Sequence, residues 1–357
     1  MSAPGKLYVQ CNPLLDVSAC VSDEFMKTYK LERGTASLLA EDQKNIFADL
    51  EKMSDVKYVP GGSGLNTARV AQWVLQAPKG TFVTYVGCAS DDRYGKILRE
   101  SAEKDGVTMA LEYTTKEPTG SCAVCITGKE RTLVANLAAA NCLSAEHVSS
   151  TTVQKHLAES KITYFTGFTL TLDVNYVLRA AQKTREVGGI FMINLSAPFI
   201  IEFFGNQLDE VLPYVDVIFG NELEAHTLSR VKGWDLHTVA AIAERAAREL
   251  PYTGKHGRLV VFTHGANSTV CAGNTNTTAA AASGSAEGGL VEVPVAPMAS
   301  ESIVDLNGAG DAFVGGFVAA YALGRDIKRC CEIGHYAAQV VIQHSGCTYP
   351  EKPTMSP

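Results

Sequence analysis

The sequence predicts an α/β fold: a doubly wound, mostly parallel sheet flanked by helices, with a small β-sheet lid. Two observations predict it. From residue 60 onward, short apolar runs alternate with helical stretches, which is the pattern of βαβ units. Leu14 to Gly62 and Glu117 to Asn136 break this rhythm, and the second is rich in β-type residues. We expect the two stretches to fold together over the strand ends as a lid that excludes water.

The elements follow in order along the chain. A strand begins almost at once, at Lys6 to Gln10. Apolar runs then predict strands at Phe82 to Gly87, Ile162 to Phe168, Ile190 to Leu195, Val217 to Gly220 and Leu259 to Thr263. Helical stretches between and after them include Asn66 to Leu75, Leu236 to Leu250 and Cys331 to His344.

The length of 357 residues exceeds that of a usual single domain, which favours a large α/β domain with a smaller appended unit. We assign residues 1–13, 64–116 and 137–357 to the large domain, and residues 14–63 and 117–136 to the lid. The low-complexity segment Gly273 to Gly289 is predicted to be a surface loop, and we assign it no chemistry.

The composition indicates a soluble globular protein. Hydrophobic residues make up 46% of the chain, and the net charge of −7 without a basic stripe argues against a nucleic-acid partner. No apolar stretch is long enough for a signal peptide or a membrane span, so we expect a cytoplasmic protein without a membrane partner. Cys122-x-x-Cys125 invites a zinc interpretation, but odd spacing on a strand sends the two sulfurs to opposite faces, so structural thiols are favoured.

The most informative motif is Asp305-Leu306-Asn307-Gly308-Ala309-Gly310-Asp311, hereafter the glycine turn, which leads into an apolar helix. Amides left free at a helix N-terminus can bind an oxyanion together, and Gly308, Ala309 and Gly310 would supply them. Asp311 is then the candidate base for a hydroxyl that attacks a terminal phosphate. The alternative is a tight turn in which Asp311 only caps the helix.

Small and polar residues follow the predicted strands. Ligands of open α/β sheets bind beyond the carboxyl ends of the strands, so these residues are expected to form one site with the glycine turn. They are Gly167-Phe168-Thr169, Ser196-Ala197-Pro198, Asn221-Glu222-Leu223-Glu224 and Thr263-His264-Gly265.

Several further motifs occur in a recognisable order. They are Asn12-Pro13-Leu14-Leu15-Asp16, Gly61-Gly62-Ser63 with Asn66, Pro118-Thr119-Gly120, Ala135 to Asn141, Leu195 to Phe199, Gly220-Asn221-Glu222 with Glu224, the glycine turn, Gly334 to Ala338, and Gly346-Cys347-Thr348. Together they make nearly the whole chain resemble the ribokinase-like family of sugar and nucleoside kinases. The resemblance implies transfer of the γ-phosphoryl group of ATP to the 5′-hydroxyl of adenosine, with Mg²⁺ as the metal.

The resemblance also implies an adenosine site. Asp16 would accept hydrogen bonds from two ribose hydroxyls, and Gly62, Ser63 and Asn66 would complete the sugar site; alone, Asp16 reads as a turn residue after a strand. The family sandwiches adenine where this chain has Phe168 and Leu133. Weaker candidates for the same pocket are Phe199, Cys122 and Asn12, and for the first two of these core packing is an equal alternative.

Phosphate-side roles follow from the same resemblance. Asn221 and Glu224 would organise hydrated Mg²⁺, although Asn followed three positions later by Glu is also a capping box. Arg131 would approach the transferring phosphate from the lid, or it is a solvated surface charge. Residues that would contact ATP are Thr263, Gly265, Asn307 and His335, although a lone histidine on a helix is more often structural.

Alternatives to this function are a related kinase for inosine, guanosine, ribose or another sugar, and a nucleoside-binding protein without catalysis. The resemblance implies a monomer.

Overall fold

The computed structural model describes residues 5–128, 130–273 and 289–357. Most of the low-complexity segment predicted as a surface loop, residues 274–288, lies outside the described residues. The strands are β1 (Leu7–Gln10), β2 (Leu14–Cys20), β3 (Ala36–Leu38), β4 (Lys57–Gly61), β5 (Val83–Ser90), β6 (Thr108–Thr114), β7 (Ser121–Thr127), β8 (Glu130–Asn136), β9 (Ile162–Thr166), β10 (Ile190–Asn194), β11 (Val217–Asn221), β12 (Leu259–Thr263), β13 (Thr269–Gly273) and β14 (Leu290–Val293).

The helices alternate with the strands through most of the chain. They are α1 (Asp23–Thr28), α2 (Ile46–Leu50), α3 (Ser63–Leu75), α4 (Arg93–Lys104), α5 (Ala145–Val148), α6 (Thr151–Glu159), α7 (Val174–Glu186), α8 (Pro198–Phe203), α9 (Gly205–Val211), α10 (Glu222–Val231), α11 (Val239–Glu249), α12 (Ala309–Ala322) and α13 (Ile327–Val341).

The described residues form a nine-stranded main sheet in the order β14-β13-β12-β11-β10-β9-β1-β5-β6. In this order, all neighbouring strands from β12 to β6 pair parallel. At the other edge, β13 pairs antiparallel with both β12 and β14. One apolar cluster packs α3, α12 and α13 against one face, and a second packs α6, α7, α10 and α11 against the other. Helices on both faces of a mostly parallel sheet confirm the predicted fold class.

A smaller five-stranded sheet has the order β3-β8-β7-β2-β4. Its strands come from the two stretches that break the βα rhythm, and the predicted second sheet is therefore confirmed. Buried side chains of α1 and α2, among them Met26, Ile46 and Leu50, pack against Val17 and Val134 on one of its faces. The exact division at residues 14–63 and 117–136 stays a prediction.

Helix α12 carries the glycine turn at its N-terminus, and glycines allow it to pack unusually close to its neighbours. A Cβ atom at Gly315 would lie 2.8 Å from the carbonyl oxygen of Thr67 on α3. At Gly316 it would lie 2.6 Å from the carbonyl oxygen of Ile333 on α13. Because real Cβ atoms do not approach so closely, these two glycines set the position of α12 between α3 and α13 and bring its first turn to the start of α3.

Candidate active site

A cavity of about 340 Å³ lies at the carboxyl ends of the central strands and holds the glycine turn. This is the edge where parallel α/β sheets bind ligands. It brings together residues from five separate strand ends or helix starts. Those that line it are Ser63, Asn194, Ser196, Phe219, Gly220, Asn221, Glu224, Thr263, Leu306, Asn307, Gly308, Ala309, Gly310, Asp311, Phe313 and Val314.

Asp311 is held by two side chains from the first turn of α3. Ser63 Oγ donates to Asp311 Oδ1 over 2.6 Å, and Asn66 Nδ2 donates to Asp311 Oδ2 over 3.0 Å. Burial raises the pKa of Asp311, and these two hydrogen bonds oppose the rise. The carboxylate is thus oriented, partly desolvated and open to the cavity, which is how a proton acceptor is arranged.

The cap alternative for Asp311 is wrong. Gly308 is the N-cap residue of α12, with φ of 75°, and no side chain caps this helix. The left-handed conformation favours glycine at this position. Of the three predicted anion-binding amides, that of Ala309 donates to the carbonyl of Leu306 over a long 3.3 Å. The first-turn amides, including that of Gly310, have no acceptor one turn earlier in the helix.

Three of the residues predicted to bind adenosine, Asn66 and Asp16 of the sugar site and Asn12 of the base pocket, carry acceptor atoms without enough donors or solvent around them. Asn66 Oδ1 and Asn12 Oδ1 are buried without a hydrogen-bond partner in the described structure. Burial raises the pKa of Asp16 to about 7, against the opposing charge of Arg69. Asp16 and Asn66 also line a small cavity of about 30 Å³ together with Gly308. Unpaired buried oxygens cost free energy, so the two amide oxygens point to a ligand that donates hydrogen bonds.

Backbone geometry brings Gly61 and Gly62 close to these acceptors. A Cβ atom at Gly61 would overlap the Asp16 carboxylate, and one at Gly62 would overlap the carbonyl oxygen of Asn12. Gly62 also has φ of 88° and serves as the N-cap of α3. The turn therefore requires glycine for both space and conformation, which places Ser63 next to Asp311.

The predicted base-pocket walls come from both sheets. Phe168 and Phe199 are neighbours whose ring centroids lie 6.0 Å apart at 38°. Phe199 is 43% exposed, so core packing is wrong for it. Val134, the next residue on β8, points into the lid core. Because side chains alternate along a strand, Leu133 lies on the opposite face. The aromatic pair and Leu133 thus offer apolar surface outside the lid core.

Cys122 and Cys125 occupy different environments, as strand alternation predicts. Cys125 packs in the lid core, whereas Cys122 lies directly opposite Asp16 in the pairing of β2 with β7. Burial raises the pKa of the Cys122 thiol well above its usual value. Leu38 lies opposite Ala135 on β8 and is 67% exposed, so it adds apolar surface to the lid.

Asn221 and Glu224 form a complete capping box at the start of α10. Asn221 Oδ1 accepts from the Glu224 amide over 2.9 Å, and Glu224 Oε2 accepts from the Asn221 amide over 3.0 Å. Both residues also line the main cavity. Burial raises the pKa of Glu224 to about 7, and the charge of Asp311 contributes in the same direction. The capping role is confirmed, and the role in organising Mg²⁺ stays a prediction.

The four predicted ATP contacts do not share one location. Thr263 and Asn307 line the main cavity, while Gly265 lies in the loop after β12 with φ of 56°. His335 is buried and shares a 2.7 Å hydrogen bond with Thr269, and burial lowers its pKa to about 4. Its contacts match the structural alternative for His335.

Arg131 is not a solvated surface charge. Its side chain is 8% exposed, and its Nε donates to Asp305 Oδ2 over 3.2 Å. Sequence reasoning missed Asp305 as a partner, although it opens the glycine turn. It also missed the strain at Ser196, whose φ is 70° and whose Oγ accepts from the Gly167 amide over 2.9 Å. A non-glycine residue in this conformation is uncommon and concentrates at functional sites.

Comparisons with known proteins agree over almost the whole chain. Residues 35–355 match the pfkB family carbohydrate kinases. The chain is 39% identical over 342 residues to adenosine kinase 2 of Arabidopsis thaliana, covering 96% of this chain and 95% of that protein. The apo structure of adenosine kinase from Trypanosoma brucei brucei has 60% identity and a TM-score of 0.90, covering 96% of this chain and all of that one.

A second solved structure is similar at lower identity. Anopheles gambiae adenosine kinase in complex with P1,P4-di(adenosine-5) tetraphosphate shares 37% identity and a TM-score of 0.88, covering 99% of this chain and 100% of that chain. None of the helices in the described part of the present chain is long and apolar enough to cross a membrane.

Proposed function

Because this chain belongs to the adenosine kinases of the pfkB carbohydrate kinase family, we propose that it transfers the γ-phosphoryl group of ATP to the 5′-hydroxyl of adenosine. The observation that carries the proposal is Asp311: a partly buried carboxylate, oriented by Ser63 and Asn66, in the first turn of a helix whose N-cap is Gly308. A base beside free amides suits a hydroxyl that attacks a phosphate.

Adenosine binds with its ribose towards Asp16 and Asn66. The ionised Asp16 carboxylate accepts hydrogen bonds from two ribose hydroxyls, and Asn66 Oδ1 gains the donor that it lacks within the protein. Asn66 contacts Asp311 through its other amide atom, so the sugar site and the base are joined by one side chain. The purine lies against Phe168 and Leu133.

In the transfer step, the 5′-oxygen bonds to the γ-phosphorus while the bond from that phosphorus to the β–γ bridging oxygen breaks. The hydroxyl proton passes to Asp311, and the bridging oxygen leaves with ADP. Because the transition state of phosphoryl transfer is loose, the proton need not leave early. The amides at the glycine turn and the Arg131 guanidinium stabilise charge on the phosphoryl oxygens.

Mg²⁺ fits the donor set at Asn221 and Glu224, which offers oxygen atoms at the cavity wall. Both Glu224 oxygens already accept hydrogen bonds from Asn221, so the pair would hold the ion through its water shell. When bound with ATP, Mg²⁺ neutralises phosphate charge.

The relatives support both halves of the active site. The Anopheles gambiae adenosine kinase structure is a complex with P1,P4-di(adenosine-5) tetraphosphate, a ligand that contains both adenosine and phosphate groups. Purine salvage by a monomeric cytoplasmic enzyme follows from the same family resemblance.

The test is ADP formation by the purified protein with Mg-ATP across adenosine, inosine, guanosine, 2′-deoxyadenosine and ribose, with the product identified by mass. Preferential conversion of adenosine to AMP is the expected result. Preference for another substrate would leave the role of Asp311 standing and overturn the base pocket. Tight adenosine binding without ADP formation would instead identify a nucleoside-binding protein.

A further inference from the structure

Asp305 connects three separate segments beside the active site. Its Oδ1 accepts from the Asn307 amide over 3.0 Å, within the glycine turn. Its Oδ2 accepts from the Gly346 amide over 2.9 Å, in the loop after α13, and from Arg131 Nε over 3.2 Å, on lid strand β8. The Asp305 side chain is only 1% exposed. A single buried carboxylate therefore joins the lid to the turn that would bind the phosphate.

The Arg131 side chain is incompletely satisfied at this position. Its Nη1 is buried and has no hydrogen-bond partner in the described part of the structure. A buried donor without an acceptor is costly, and guanidinium groups suit the planar oxygen pairs of phosphates. Asp305 thus engages Nε of the guanidinium and leaves Nη1 without an acceptor, on a side chain held against the first residue of the glycine turn.

We propose that Asp305 is a positioning residue of the reaction: it holds Arg131 beside the glycine turn, so that the free Nη1 meets the transferring phosphoryl group. In this role Asp305 acts through Arg131 and not by contact with the substrate. The inference rests on the proposed function, because the phosphoryl group is supplied by that reaction.

Two features distinguish this role from that of an ordinary buried ion pair. A static pair would satisfy both partners, whereas here Asp305 is fully engaged and Arg131 is not. The two residues are also 174 positions apart in the chain, and they join strand β8 of the small sheet to the glycine turn that precedes α12. Breaking it would affect lid position and catalysis together.

The experiment is a double-mutant cycle with Arg131→Ala, Asp305→Asn and both together. We expect each single variant to lower kcat about 10- to 100-fold, as for residues coupled through a shared network. The double variant should be no slower than the slower single variant, within about threefold, and the loss in kcat should exceed any change in the KM for adenosine. Losses that multiply in the double variant, or an Asp305→Asn enzyme with wild-type kcat, would overturn the proposal.

Asp216→Asn is the matched control. Asp216 is also a buried carboxylate that accepts from a backbone amide, that of Phe191 over 2.8 Å, but it bonds Tyr252 instead of a lid arginine. It lies before β11, at the opposite end of the strands from the glycine turn. This variant should lose thermal stability and keep its kcat. If Asp305→Asn does not fold, Asp305→Glu takes its place in the cycle under the same criterion.

Amide hydrogen exchange across residues 130–136 gives a readout that does not need catalysis. Asp305→Asn and Arg131→Ala should accelerate exchange there to the same extent, and Asp216→Asn should not. Unchanged exchange in Asp305→Asn would refute the proposal that Asp305 holds Arg131 in place, whichever substrate the wild-type protein phosphorylates. Failure of wild-type protein to phosphorylate adenosine would refute the proposed function instead, so the two failures are distinguishable.

Discussion

Replacing Asp311 with Asn tests the proposed base with little change of shape. The amide keeps the size of the carboxylate but cannot accept a proton from the substrate hydroxyl. Its hydrogen bonds can be preserved, because the Ser63 hydroxyl can turn to accept and Asn66 has an Oδ1 atom without a partner. The substitution therefore removes the basic group and leaves the surrounding structure intact.

The expected loss of turnover is about 10²- to 10⁴-fold, the usual contribution of a positioned base. That range equals about 2.7–5.4 kcal/mol of transition-state free energy. Adenosine affinity should change by no more than about tenfold, because a neutral hydrogen bond contributes roughly 0.5–1.5 kcal/mol net.

Stability should move in the opposite direction. The pKa of Asp311 is raised in the folded protein, so the stabilising effect of its protonated form is complete below about pH 4 and is lost as pH rises through the raised pKa. At pH 7.5 the Asn variant avoids the cost of an ionised buried group. Its thermal midpoint should therefore equal or exceed that of the wild type.

The assay combines ADP release coupled to NADH oxidation, titration calorimetry with adenosine, and thermal unfolding at pH 7.5. A variant with kcat within threefold of the wild type would remove Asp311 from the mechanism. A large kcat loss accompanied by a fall in the thermal midpoint would show instead that Asp311 acts by maintaining the fold.

Three further predictions concern the sugar and metal sites. The pKa of Asp16 is raised to about 7, and the ionised form is the one that accepts the ribose hydrogen bonds. Adenosine affinity measured by calorimetry should therefore rise with pH, by up to about tenfold per pH unit, until about pH 7 and then level off. Asp16→Asn should abolish this dependence, and persistence of the dependence would assign it to another group. Gly61→Ala should weaken adenosine binding about 10- to 100-fold, since its Cβ would overlap the Asp16 carboxylate. Glu224→Gln should raise the Mg²⁺ concentration for half-maximal rate about 10- to 100-fold, and an unchanged Mg²⁺ requirement would exclude Glu224 from the metal site.

Matched controls are available for the last two variants. Gly205→Ala adds a methyl group where no atom lies within 4 Å, so adenosine affinity should not change. Glu249→Gln removes an exposed carboxylate from the end of α11, where it pairs with Arg245, and should leave the Mg²⁺ requirement unchanged. Equal losses in Gly61→Ala and Gly205→Ala would mean that the effect at Gly61 is not steric.

Local patterns predicted most of the main sheet. Leu259 to Thr263 was predicted with its observed bounds, because an apolar run between polar residues defines a buried parallel strand. The strand from Ile162 was predicted to reach Phe168 but ends at Thr166, where Gly167 turns away to donate to Ser196. The antiparallel edge strands β13 and β14 were not predicted, because pairing direction depends on how a connection folds back rather than on local propensity.

The fold class and the set of residues at the strand ends can be read from local patterns, because the alternation of apolar and helical segments and the ends of parallel strands are local properties. Which of these residues touch one another depends on how the elements pack. Ser63 meets Asp311 across 248 residues of chain, and Arg131 meets Asp305 across 174. Those contacts arise from the close packing of α12 on α3 and from the position of the lid, and neither is encoded in the residues next to them.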